Sequence, residues 1–276
     1  MSKLSAYSDQ ISALQYRYLK VSSYRNFLLN NISYQECLEN VAQFRDLNSI
    51  EIENFTTLLI SAIDEAQKKD LTTDLMQSMH QITTQNNNDK TCGRFRKNKE
   101  RARVKTDVQD YTAPKPGQIY DLLSDALAKY YSSHHLGIVQ RLARLHLDFC
   151  HIRPFVDGNG RVALALINHA LSRERFPAIV IRKLRAKELK KYNQSFKEFN
   201  QKKVTKKMEE IIAQALINSL QKRLAHLDNK EIFSLASHSR NKKIPLSNFL
   251  NKARRGTIAA FIEDDVWKIG VKKIAK

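Results

Sequence analysis

Residues 161–172, RVALALINHALS, carry apolar side chains on nearly every side of a helix. A helix of that kind cannot lie on a surface; it has to run through the middle of a bundle whose other helices cover it. Glycine and proline, the residues that interrupt helices, number only 7 and 5 among 276 residues, so most of the chain is free to supply the cover. Apolar positions recur at helical spacing over 4–45, 49–68, 71–82, 118–131, 136–150, 185–200 and 206–227. Ser49 is placed to cap the second of these, with Glu51 and Glu53 favourable in its first turn. The expected fold class is mainly α.

Between the helices around residue 85 and residue 118 the character changes. QNNNDKTCGRFRKNKERARVKTDVQDYTAPKP is polar, basic and punctuated by Gly93, Pro114 and Pro116. GRFR and RARVKT suggest short strands about a turn, hence a hairpin flap. From 229 the pattern is two short helices and then an alternating stretch, TIAAF to VWKI, that predicts a hairpin. Helix, helix and hairpin is a winged-helix arrangement. The predicted organisation is therefore N-terminal helices over 1–90, a core with its flap over 91–228, and a winged-helix-like tail over 229–276.

Charge is concentrated in the last third. Residues 182–276 carry 24 Lys and Arg against 9 Asp and Glu, whereas residues 1–181 carry 23 against 19. A basic tail suits nucleic acid, an acidic protein or an anionic membrane surface, and equally a solvated face. No apolar run is long enough to predict a transmembrane segment, and the first residues lack a signal-peptide core. Three scattered cysteines argue against a disulfide framework and suit a reducing compartment, so the expected location is cytoplasmic. The eight histidines show no metal-ligand spacing: His134 and His135 are adjacent and would point about 100° apart on a helix.

The chemistry concentrates in IRPFVDGNGR, residues 152–161, immediately before the central helix. A helix N-terminus exposes unpaired N–H groups and a partial positive charge, and glycines let an anion approach the backbone. Asn159 can donate from its amide, Arg161 can grip a phosphate through its fork, and Asp157 can hold Mg²⁺. Asp-Gly and Asn-Gly are also common turn dipeptides, so an anion nest and a plain turn both fit the residues alone.

The stretch resembles the signature of the Fic family of protein AMP-transferases, His-Pro-Phe-x-Asp/Glu-Gly-Asn-Gly-Arg-x-x-Arg. Seven of its nine fixed positions match, from Pro154, Phe155 and Asp157 through Gly158, Asn159, Gly160 and Arg161. HLDFCHI, with His146 and Phe149, resembles the helix before the motif, and CGRFR with YTAPKP resembles the target-binding flap. NSIEIEN, with Ser49, Glu53 and Asn54, resembles the family's inhibitory motif Ser/Thr-x-x-x-Glu-Gly/Asn, and the tail with ARRGTIAAF and Trp267 resembles a winged-helix extension. The resemblance runs from about 45 to 276. It implies ATP and Mg²⁺ as cofactors, Asp157 as metal ligand, and Gly158, Asn159 and Gly160 around the α and β phosphates. It further implies Arg161 on the outer phosphates and a protein target laid along the flap over 93–112.

Two departures from the signature matter. Arg153 stands where the family has its histidine, the general base. A histidine near pKa ~6.5 accepts a hydroxyl proton at neutral pH, whereas an arginine above ~12 does not. Losing such a base costs about 10²–10⁴-fold in rate. Leu164 stands where the resemblance implies a second arginine, the partner of the inhibitory glutamate. Glu53 is thereby left with Arg161 or Arg153 as alternative partners, or with no more than a place in the first turn of its helix. His151 is no simple substitute for the missing base, since it falls about 200° around the helix from position 153. His146 reads as a packed helix residue. Three functions follow: a nucleotide-binding Fic fold with impaired catalysis, a residual or altered nucleotide transferase, and a DNA-binding regulator acting through the tail.

Overall fold

A computed structural model describes residues 3–22, 26–44, 46–85, 91–103, 111–183 and 185–272. Its elements in chain order are α1 (Lys3–Ser22), α2 (Asn26–Val41), α3 (Ser49–Asp64), α4 (Thr73–Thr84), α5 (Ile119–Ser132), α6 (Ile138–Ile152), α7 (Asn159–Arg173), α8 (Ala186–Lys202) and α9 (Lys206–Leu227). These are followed by β1 (Glu231–Ser234), α10 (Leu235–Lys242), α11 (Leu246–Arg255), β2 (Ala260–Glu263) and β3 (Val266–Val271). A short 3₁₀ turn at Pro116–Gln118 leads into α5. The chain divides into two compact units, one of residues 37–212 and one of residues 1–36 with 213–276. That division differs from boundaries at 90 and 228, because periodicity shows where helices lie and not which of them pack together.

In the unit of 37–212, α7 is buried from Arg161 to Leu171, as its all-round apolar sequence requires. It packs against α3, α4 and α6, and α5 packs on α6. α3 supplies Phe55, Leu58, Leu59 and Ala62, and α6 supplies Leu142, Leu145 and Phe149. The cap of α3 is Asn48 rather than Ser49: its side chain accepts from Glu51 N–H at 2.9 Å, and the Glu51 carboxylate accepts from Asn48 N–H at 3.2 Å. Asn has the same short acceptor geometry as Ser, and the reciprocal bond satisfies a second orphan donor. Two buried asparagines of this unit are bonded to backbone. Asn168 on α7 accepts from Ile179 N–H at 2.8 Å, and Asn40 donates to Ile179 C=O at 2.8 Å. They hold the extended stretch after α7 in place.

The flap departs from the predicted hairpin. Residues 91–103 form turns and irregular backbone with no strand, including the first half of RARVKT (101–106), where the second strand was expected; its second half lies outside the described residues. The reason is visible in the bonding. Arg96 N–H donates to Pro154 C=O at 2.9 Å and Arg103 N–H to Val156 C=O at 2.7 Å, so the segment is bonded to the motif loop.

The other unit holds a three-stranded antiparallel sheet of order β1-β3-β2. The β2–β3 hairpin matches the alternating stretch in the sequence, with Ile262 opposite Trp267. β1 begins a segment whose pattern had suggested helix. Leu235, Phe249, Ala253 and Ala260 form a small core of this unit, with Trp267 and Ile269 packed against it. Asn218 on α9 clamps β2 by donating to Ile262 C=O at 3.1 Å and accepting from Ile262 N–H. Buried Glu36 pairs with Arg223 and accepts from Ser219 at 2.8 Å. Tyr7 on α1 accepts from Gln214 at 2.9 Å, which ties the first helix into the same unit as the tail. Among the described residues no helix is long and apolar enough to cross a membrane.

Candidate functional site

The loop between α6 and α7 is built around Phe155. Its side chain is fully buried and stacks on the His80 ring of α4 with centroids 3.9 Å apart. Asn159 closes the loop from the other side, accepting from Phe155 N–H at 3.0 Å and donating to Phe155 C=O at 2.8 Å. The amide expected to face an anion is thus used to close the loop. His80 is buried and joins two segments: its Nδ1 accepts from Gly93 N–H at 3.1 Å, and its Nε2 faces Asp157 C=O at 3.2 Å. That pairing fixes the neutral tautomer with the proton on Nε2. Sequence reading gave His80 no role.

Gly158 caps α7 in the left-handed region, with φ +74°. A Cβ there would stand 3.1 Å from Thr83 Cγ2 and 3.3 Å from His80 Cδ2, so both conformation and space require glycine. The C=O of Gly158 accepts from Arg161 and Val162, both at 3.0 Å, which begins the helix. The N–H groups of Asn159 and Gly160 lie at the first positions of α7, where a helix offers no acceptor. The Gly158 N–H, also expected in the nest, donates instead to the Asp157 side chain at 2.7 Å.

The charged groups are arranged unevenly about it. Arg161 is 5% exposed and forms an ion pair with Glu51 of α3 at 3.2 Å, in a geometry that leaves its Nη1 without a hydrogen bond. Glu53, the residue singled out as inhibitory, is exposed on α3, as is Ser49. The carboxylate that meets Arg161 comes from one half-turn earlier. Leu164, in place of the second arginine, is buried in the core at 1% exposure.

Arg153 caps the C-terminus of α6 in the left-handed region, at φ +47°, with its N–H donating to Phe149 C=O at 3.0 Å. A cation there is favoured by the helix dipole. Its guanidinium lies 5.4 Å from the Tyr111 ring centre and donates to Arg103 C=O at 3.5 Å. Burial pushes Tyr111 up to about 12, and its hydroxyl donates to His151 C=O. Arg96, buried beneath, donates from Nε to Arg153 C=O at 2.8 Å and from Nη2 to Pro114 C=O at 2.5 Å. Burial lowers the Arg96 pKa. The position of the family's base is therefore held by a network of arginines and carbonyls.

Both nearby histidines are tied into the bundle by hydrogen bonds. The His151 ring donates to Asn200 Oδ1 at 2.8 Å on α8, and burial lowers its pKa. His146 is buried, hydrogen-bonded to Tyr192 at 3.0 Å, and driven down to about 3 by burial. Lys183 lies over the Phe44 ring at 3.9 Å and is pushed down to about 8 by burial. Phe44 in turn abuts Gly160.

Asp157 is the candidate metal ligand. Its Oδ1 accepts from Gly158 N–H at 2.7 Å and its Oδ2 pairs with Arg103 at 3.3 Å. No cluster of three or more potential ligands occurs among the described residues. A resident Mg²⁺ wants open carboxylate oxygens, and here both oxygens are engaged while three arginines surround the loop. The residues present do not fit that ion.

Comparison with known proteins bears on the fold around this loop. Residues 70–171 match the model of the Fic/DOC family. Over 94 residues, a third of this chain, the sequence is 33% identical to Protein adenylyltransferase Fic of Drosophila erecta and 36% identical to that of Drosophila willistoni. The match spans only 18% of each of those proteins. The fold is shared with a Fic domain-containing signaling protein of Bacteroides thetaiotaomicron, at TM-score 0.60 and 18% identity over 83% of this chain and 98% of that one. It is shared as well with a Fic family protein of Desulfovibrio desulfuricans, at TM-score 0.64 and 13% identity over 100% and 98%. Bundle, loop and matched segment coincide, and the chain carries a Fic/DOC-family domain over residues 70–171.

Proposed function

We propose that the unit of 37–212 is a Fic-fold nucleotide-binding domain, with ATP or a related oligophosphate as ligand, in which ordinary AMP transfer to a protein hydroxyl is impaired. One observation carries the reading: Gly158 holds the left-handed conformation that starts α7 at the loop, and Arg161 lies buried close after it. At the α6 end Arg153 offers no proton acceptor. A guanidinium above pKa ~12 stays charged at neutral pH, so it attracts phosphate and leaves the target hydroxyl protonated. Proteins named as Fic adenylyltransferases supply the ATP half of the proposal by similarity. A protein target would lie along the described part of the flap, at 93–103.

The test is transfer of label from ATP radiolabelled at the α phosphate to protein in a lysate. The Arg153→His variant is expected to label targets about 10²–10⁴-fold faster than the native chain, the usual worth of a general base. Equal labelling by both would overturn the impairment. Leu164→Arg is a poor companion change, because it buries an unpaired charge at a core position.

A second reading concerns the tail. α11 buries Phe249 and Ala253 and exposes Asn248, Asn251, Lys252, Arg254 and Arg255, with Lys242 and Lys243 exposed just before it. Such a helix, in a winged-helix-like tail, suits the phosphates of DNA. The turn of the β2–β3 hairpin carries Asp264 and Asp265, so contact would come from the helix and not from the turn. Duplex DNA binding followed by anisotropy across a salt series checks this: Arg254→Ala with Arg255→Ala should lower the salt slope by about two. An unchanged slope would remove the reading.

A further inference from the structure

We infer that the motif loop is an oligophosphate site that works without a divalent cation, with the Arg103 guanidinium taking the place of a metal against Asp157. The inference deepens the nucleotide reading above and rests on it. Four features carry it.

The first is the Asp157 carboxylate. One oxygen accepts from Gly158 N–H at 2.7 Å and the other pairs with Arg103 at 3.3 Å. An exposed pair of that length would count for little by itself. Arg103 is, however, held by hydrogen bonds on both sides of its Cα. Its N–H donates to Val156 C=O at 2.7 Å, and its C=O accepts from Arg153 Nη1 at 3.5 Å. The flap backbone therefore delivers the guanidinium to the loop.

The second feature is the charge balance. Three guanidiniums, of Arg103, Arg153 and Arg161, face two carboxylates, of Asp157 and Glu51. The loop thus holds a positive excess before the partial charge of the α7 N-terminus is added. A bare dication entering here would meet net repulsion, whereas an oligophosphate would meet complementary charge.

The third is the state of Arg161. It is 5% exposed, and its Nη1 has no hydrogen bond although Glu51 lies 3.2 Å away. A buried charged donor in that condition is costly unless a better acceptor arrives, and a phosphate oxygen is one. The fourth is the ligand class that follows. Guanidiniums bind phosphate in a forked, directional way, so the ligand is the terminal part of a triphosphate, free or on a nucleoside.

The test is calorimetry of inorganic triphosphate, and separately ATP, with the full chain in EDTA and in excess MgCl₂. The expected result is binding in EDTA at least as tight as in Mg²⁺, with Arg103→Ala weakening the metal-free affinity about tenfold, one charge-assisted hydrogen bond. Arg103→Lys should weaken it less than Arg103→Ala, and both variants should melt at the native temperature because the side chain is exposed. Binding that appears only with Mg²⁺, or Arg103→Ala affinity unchanged in EDTA, would overturn the metal-free site and leave the nucleotide reading standing. No binding of either ligand in either buffer would overturn both.

Discussion

The motif loop and helix α11 both gather positive charge, by opposite means. At the loop, Arg161 is buried against Glu51 and Arg153 is braced by Arg103, Tyr111 and buried Arg96. On α11, Lys252, Arg254 and Arg255 stand in solvent above a small apolar core of Phe249 and Ala253. Cations fixed before binding favour one compact anion of defined shape, because little ordering remains to be done. Exposed, mobile cations favour an extended polyanion through counterion release, and their binding weakens steeply with salt. The contrast predicts a salt-tolerant small-molecule site in one unit and a salt-sensitive surface in the other.

The strongest way to break the comparison is to remove the packing under the loop. Phe155→Ala should cost about 3–5 kcal/mol in urea unfolding, because the ring is fully buried and stacked on His80. A cost below about 1 kcal/mol would mean that the loop is not held by the core.

Acid should separate the units next. In residues 37–212 burial lowers the pKa of His146 to about 3 and also lowers those of His151 and His169, from an ordinary 6.5. A base depressed on folding contributes stability above 6.5 that is lost as pH falls below it. In the other unit Glu263 is held at about 2, chiefly by its hydrogen bond to His226 and then by Lys268, against an ordinary 4.5. Its contribution is present above 4.5 and is lost as pH falls toward 2. Fluorescence of Trp267, the chain's single tryptophan, reports the second unit. It should hold steady through the window in which hydrogen exchange in α6 and α7 begins to accelerate. Simultaneous loss from pH 6.5 downward would contradict the separate origins.

Smaller effects sharpen the electrostatics. Glu51→Gln removes the carboxylate that competes with phosphate for Arg161, and should tighten ATP about fivefold, roughly 1 kcal/mol, by calorimetry. Weaker binding would mean that Glu51 positions Arg161 rather than competing for it. Arg254→Ala with Arg255→Ala should change stability by less than about 0.5 kcal/mol in thermal unfolding, since neither side chain is buried.

How much of this was legible in the sequence follows from the range of each interaction. The helix α7 and the glycine turn at its start are local: an all-round apolar run and a glycine at the cap mark them within a dozen residues. The β2–β3 hairpin showed itself by alternation, whereas β1 is four residues long and its strand character depends on pairing with distant β3. His80 reaches Asp157 across 77 positions and Arg103 reaches it across 54, so no spacing rule could join them. Asn48 and Glu51 were within reach of local reasoning. The capping box between them was obscured because Ser49 and Glu53 match a familiar motif one and two residues later. Arg153 was legible as a lost base, and its bracing by Arg96 and Tyr111 was not.

The central claim is that the α7 end of the loop binds oligophosphate through Arg161 although the base is gone. Calorimetry of ATP with the native chain and with Arg161→Met tests it most directly. The native chain should bind, and the variant should lose about 1.5–3 kcal/mol, roughly ten- to a hundredfold in affinity. Equal affinity in the two proteins would contradict the account.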